Sequence, residues 1–107
     1  MPVRNRILTI LDGETQSDSI NLGADILVTS IFVPDTVVGN TLTFYGDPGT
    51  GVQEELNFSL DLTSTTPYYR GQVVTGLANS FSGITSLSVA SDMAQTQDVE
   101  INVGFTY

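Results

Sequence analysis

The stretch DVEINVGFTY, residues 98–107, alternates so strictly that it leaves the backbone little choice. Val99, Ile101, Val103, Phe105 and Tyr107 fall on one side, and Asp98, Glu100, Asn102, Gly104 and Thr106 on the other. A period of two is what an extended chain with one dry and one wet face requires. ELNFSLDL (55–62) repeats it, setting Leu56, Phe58, Leu60 and Leu62 against Glu55, Asn57, Ser59 and Asp61. SLSVAS (86–91) alternates Leu87 and Val89 with serines, and TLTFY (41–45) alternates Leu42 and Phe44 with threonines. Turn-forming clusters at 12–14, 21–23, 34–40, 46–51 and 64–67 separate these segments. Short strands at that spacing predict an all-β chain folded as a single antiparallel β-sandwich. The one helix candidate is GLANSFSG (76–83), a turn or two at most between Gly76 and Gly83.

One segment breaks the rhythm. In ILVTSIFVP (26–34) both sides are apolar, with Ile26, Val28 and Phe32 on one and Leu27, Ile31 and Val33 on the other. Two explanations stand: a central strand covered on both faces, or a strand whose outer face meets another chain. Pro34 ends it, having no N–H to give a ladder.

The 107 residues suit one domain spanning 1–107, with 1–6 as a candidate amino-terminal arm. The chain has no cysteine, histidine or lysine, which removes thiol chemistry, zinc–thiolate sites and the commonest general base. Its three basic residues are Arg4, Arg6 and Arg70, and the formal net charge is −9. That charge repels nucleic acid and anionic membranes, so neither is expected as a partner. No apolar run approaches the length of a membrane span or of a secretory signal, and a soluble chain is expected.

Of the motifs, GDPGTG (46–51) invites a phosphate-binding reading. A P-loop needs a lysine after its second glycine and a helix beyond, whereas Val52 and then Glu54 and Glu55 follow here. Pro48, Gly49 and Gly51 are turn residues, and a hairpin is predicted. DGETQSD (12–18) places oxygens at Asp12, Glu14, Gln16 and Asp18, but its glycine is not where a calcium loop needs one. It reads as a solvated acidic turn, as does SDMAQTQD (91–98). The carboxylates lie at turns and on wet strand faces, so neither a catalytic pair, a metal site nor a cofactor site is expected. Two stretches are interface candidates. PYYRG clusters Tyr68, Tyr69 and Arg70, residue types favoured as anchors; equally, one ring belongs in the core and the arginine pairs locally. VRNRI carries Arg4 and Arg6, either an anchor for an acidic partner or a solvent-facing strand end.

The order of features is similar to that of a group of small structural proteins of tailed bacteriophages. It runs SDSINLGA, ILVTSIFVPDTVVG, NTLTFYG, a glycine-rich hairpin, FSGITSLSVAS, DMAQTQ and DVEINVGFTY. The chain resembles the capsid decoration, or cement, proteins among them. The resemblance implies a jelly-roll-like sandwich in the virion, a non-enzymatic protein on the capsid surface bound to the major capsid protein, and a homotrimer. The apolar residues Ile26, Val28 and Phe32 would then serve as partner-facing surface. The alternative is a tail or fibre module that binds host carbohydrate, with Tyr68 and Tyr69 as stacking rings.

Overall fold

Each alternating segment is a strand in the computed structural model, which describes residues 3–22, 27–63, 69–75, 77, 81 and 83–106. In chain order these are β1 (Val3–Ile10), β2 (Ile20–Asn21), β3 (Leu27–Val33), β4 (Thr41–Asp47), β5 (Glu54–Asp61), β6 (Gln72–Thr75), β7 (Ser86–Ser91) and β8 (Val99–Thr106). They form two four-stranded sheets, β1-β8-β3-β6 and β2-β7-β4-β5. Every pairing is antiparallel, and the pairings are nested: β4 with β5, β3 with β6, β2 with β7, β1 with β8. The chain behaves as one long hairpin, turned between β4 and β5 and wound over itself. The β3–β8 and β4–β7 ladders close the winding. The protein is therefore an all-β, antiparallel sandwich.

The inner faces share one core. Leu8, Ile31, Val33, Ile101 and Val103 of the first sheet are fully buried, as are Leu42, Phe44, Leu87 and Val89 of the second. Three phenylalanines anchor the second sheet: Phe44 lies 5.5 Å from Phe58 and 5.6 Å from Phe81, and Phe58 lies 5.0 Å from Phe81 between ring centroids. Their tilted and edge-on contacts suit the aromatic quadrupole. Most of the helix candidate lies outside the described residues, but Leu77 and Phe81 from it are buried in this core.

Two expectations about faces change. Val3 already pairs with Thr106, so residues 3–6 belong to β1 rather than to an arm. In β3, Val28 is opposite Phe105 and Ser30 is opposite Gly104, leaving Thr29 as an extra residue. Such a bulge reverses which side later residues face. Val28 and Phe32 therefore do not share a face. Val28 is 1% exposed in the core, whereas Phe32 points outward at 38%.

Candidate functional site

The 46–51 hairpin is built around a carboxylate, not a phosphate. Oδ1 of Asp47 accepts from the backbone N–H groups of Gly49 at 2.7 Å, Thr50 at 2.8 Å and Gly51 at 3.1 Å. Gly49 and Gly51 hold φ of 105° and 86°, which aims those donors inward. An anion would need the same amides, and the protein's own side chain already occupies them.

These bonds favour the charged carboxylate and hold the Asp47 pKa below its ordinary 3.8, the Gly49 N–H contributing most. Asp92 is lowered likewise, chiefly by the Asn40 N–H at 2.8 Å and also by that of Thr41 at 3.3 Å. A lowered folded pKa gives stability that is complete above the unfolded value near 3.8 and is lost as pH falls through the folded pKa. The melting temperature should thus begin to fall near pH 3.8 and drop further below it. The double variant Asp47→Asn/Asp92→Asn, which keeps an acceptor but no titration, should show a shallower fall in melts between about pH 5 and 2. Equal slopes would detach the acid response from these two groups.

The loops joining β1 to β2, β3 to β4, β5 to β6 and β7 to β8 are tied together at one end of the sandwich. Gln95 is its centre and is 3% exposed. Its Oε1 accepts from the Val38 N–H at 2.8 Å, and its Nε2 donates to the carbonyls of Val38 at 2.9 Å and Met93 at 3.0 Å. Its backbone pairs with Gly13 and Glu14. Ser91 Oγ donates to the Val38 carbonyl at 2.6 Å. Gly39 packs against this cluster at φ 130°, and a Cβ there would collide with Ser91 Oγ. Only glycine fits.

Arg70 belongs to the same clasp. Its two terminal nitrogens donate to the carbonyls of Val37 and Gly39. Tyr69 beside it is half-buried and packed on the core. Residues 69 and 70 of PYYRG are therefore spent on the fold and present no open stacking platform; Tyr68 and Ile26 lie outside the described residues. Arg4 and Arg6 are exposed on β1, at the edge of the first sheet, and Arg6 reaches the Asn21 carbonyl of β2 at 3.5 Å. The expected interface group is thus dispersed: Val28 in the core, Arg70 in the loop clasp, Arg4 and Arg6 at one edge, and Phe32 on the outer face of the first sheet.

The acidic turns also serve the backbone. Asp18 accepts from the Thr9 N–H at 3.1 Å, and Asp98 from the Asp12 N–H at 2.9 Å. Among the described residues no three metal-ligating side chains converge. Nor, among them, is any helix long and apolar enough to cross a membrane.

Phe32 leads to a surface that alternation alone did not reveal. Ile7 pairs with Asn102, Asn102 with Phe32, and Phe32 with Val73, so the four form one row across all four strands of the first sheet. Ile7 is 45% exposed and Val73 58%. Between them the Oδ1 atom of Asn102 is buried without a hydrogen-bond partner. The neighbouring row is low and polar: Gly104 has no side chain, and Ser30 and Asn5 close in over its Cβ position. The missed signal is the apolar doublet. Ile7-Leu8 and Val73-Val74, like Ile31-Phe32-Val33, put adjacent apolar residues in a strand, so one must face out.

No family model matches the chain, nor does any curated protein or any solved structure.

Proposed function

We propose that the protein is a non-enzymatic structural component of a virus particle, a capsid decoration protein that binds the outer surface of the major capsid protein and bridges its subunits. The observation that supports it best is the nested pairing of eight strands in two four-stranded sheets. We read this winding as a jelly roll, an architecture used by viral capsid proteins among others. The residues add a physical fit to this architecture. The carboxylates whose partners are described cap backbone N–H groups, so they stiffen loops and are not gathered for chemistry. A domain that acts by sticking needs this stiffness, because little entropy is then lost on docking. Arg4 and Arg6, on one strand of a chain with net charge −9, supply the contact for an acidic patch on the shell. One modest contact, repeated over many copies, becomes strong by avidity.

Purified protein should co-sediment with assembled capsids and not with dissociated capsid subunits. Capsids lacking it should disrupt at a lower temperature. The variant Arg4→Glu/Arg6→Glu should fold normally and bind assembled capsids at least about tenfold more weakly, since each reversed contact is worth of order 1 kcal/mol. Equal binding to capsids and free subunits, or an unchanged disruption temperature, would end the assignment.

A further inference from the structure

We propose that the Asp47–Pro48 peptide bond is an acid-triggered self-cleavage site, and that the cut leaves a two-chain protein still folded as one sandwich. This goes beyond the capsid assignment and does not depend on it. Three observations carry it.

The first is the bond itself. GDPGTG holds the single Asp-Pro sequence of the chain. The proline nitrogen is a tertiary amide without an N–H, and once protonated it leaves more readily than a secondary one. An aspartate carboxyl reaches its own main-chain carbonyl by closing a five-membered ring, so the attack is intramolecular. A side-chain oxygen of Asp47 bonds to that carbon and the C–N bond to Pro48 breaks. The electron pair stays on nitrogen, which takes the carboxyl proton. One water then opens the cyclic anhydride, giving its OH to a carbonyl carbon and its remaining proton to the ring oxygen. The products are Asp47 with a free α-carboxyl and its side chain restored, and Pro48 with a free amine.

The second is what surrounds the bond. The scissile carbonyl of Asp47 accepts from the Thr85 N–H at 2.9 Å and from Thr85 Oγ1 at 3.3 Å. Two donors on that oxygen are what the oxyanion of a tetrahedral intermediate requires. Thr85 is itself held, its carbonyl accepting from the Leu22 N–H at 2.7 Å. The nucleophile, by contrast, is locked. Oδ1 takes the N–H groups of Gly49, Thr50 and Gly51, and Oδ2 takes that of Gly51 at 3.1 Å. Those bonds favour the charged carboxylate, whereas the reaction needs a proton on the Asp–Pro unit. Neutral pH therefore keeps the bond whole. Acid supplies the proton, weakens the amide cage and frees the carboxyl beside a carbonyl that Thr85 still polarises. The titratable neighbours on the ladders are Glu54, opposite Gly46, and the pair Tyr45 and Glu55; β7 sets Ser86 opposite Asp47, which brings no charge.

The third is topology. Among the described residues every ladder joins one of the strands β1–β4 to one of β5–β8. The Asp47–Pro48 bond lies at the apex of the nested hairpin, between those two sets. Neither 1–47 nor 48–107 keeps a described ladder of its own, and each ladder spans the cut. The loop clasp is divided the same way, with Val37, Val38 and Gly39 on one piece and Arg70 and Gln95 on the other. Core and hydrogen bonds thus hold the pieces together after scission.

The full chain should be incubated at about pH 3, with circular dichroism showing the fold intact, for the time in which a free peptide carrying GDPGTG is half cut. Denaturing mass spectrometry should then find residues 1–47 and 48–107, and a sample kept at neutral pH should stay whole. Returned to neutral pH, the cut sample should fly in native mass spectrometry as one particle of the uncut mass plus one water. Scission of the folded chain should set in at lower pH than that of the peptide, because the caged carboxyl keeps its charge further into acid. Asp47→Asn should abolish it. Thr85→Val, which removes the hydroxyl donor and keeps the N–H, should slow it at least about threefold. A folded chain that stays whole while the peptide is cut, scission that persists in Asp47→Asn, an equal rate in Thr85→Val, or a pH profile coinciding with that of the peptide would each overturn the cleavage site. Pieces that separate at neutral pH would overturn the two-chain product. Capsid co-sedimentation of the uncut protein reads the decoration assignment separately.

Discussion

Replacing Phe44 by alanine should destabilise the protein by about 3–5 kcal/mol, the largest effect expected of any single core truncation here. Phe44 is fully buried on β4 and touches both other rings of the aromatic cluster. Its removal forfeits the transfer energy of the ring and two aromatic contacts, and leaves a cavity that two sheets pinned by ladders on both sides cannot close. β4 is flanked by β5 and β7, so the backbone at Phe44 has no free edge along which to move. Relaxation is open mainly to Phe58, which is half-buried on β5 next to a register shift and can slide inward. That movement sets the lower end of the range. For a domain of this size the melting temperature should fall by roughly 15–30 °C. Phe58→Ala, which removes a partly solvated ring, should lose clearly less. If thermal or urea melts rank Phe58→Ala at or above Phe44→Ala, the energy of the cluster lies at its rim and the account of a tightly pinned centre fails.

The strands were legible because alternation is a local property. Val99, Ile101, Val103 and Phe105 needed nothing beyond their spacing to be placed in the core, and all four are there. The hairpin at 46–51 was equally local, since Pro48 and the glycines write a turn whatever surrounds them. Its capping carboxylate, Asp47, was not read, although an aspartate at the head of a glycine-rich turn is the residue that satisfies such amides.

What escaped was non-local. The bulge at Thr29 lies in the β3–β8 ladder, just before β3 begins to pair with β6 at Ser30, and no feature of ILVTSIFVP announces which residue will be doubled. One extra residue sends Val28 inward and Phe32 outward, and so divides a face that the spacing had joined. Arg70 and Gln95 looked like surface residues because charged and amide side chains usually are. Each is consumed by loop carbonyls that arrive from more than thirty positions away in the chain: Arg70 by Val37, Gln95 by Val38. The nested winding brings those loops to one end, so the clasp becomes readable only once the order of the strands is known. The row through Ile7, Phe32 and Val73 has the same origin. Its members are scattered in sequence and meet through the register of three ladders.

Gln95→Leu is the second large expectation, and it tests whether that clasp is one cooperative unit. Leucine keeps nearly the volume of glutamine in a site 3% exposed, so no cavity complicates the result. It removes every polar atom of the side chain. The Val38 N–H and the Met93 carbonyl lose the partners they have in Gln95, while the Val38 carbonyl retains Ser91 Oγ. An orphaned buried donor costs more than a hydrogen bond is normally worth, and the sum comes to about 2–4 kcal/mol. The loss should also have a location. Backbone pairing of Gln95 with Gly13 and Glu14 is not removed directly, but it depends on the loop that the side chain anchors. Amide exchange should therefore quicken at Val38, Asn40 and Gly13 by one to two orders of magnitude, while Ile101 and Val103 in the middle of β8 lose only what global stability loses. Arg70→Lys should reproduce part of the pattern at residues 37–39, since one ammonium cannot serve two carbonyls in the fixed fork of a guanidinium. Uniform acceleration across strands and loops would mean that the four loops open only when the whole sandwich does. Unchanged exchange at Val38 together with an unchanged melting temperature would mean that Gln95 is not what holds them.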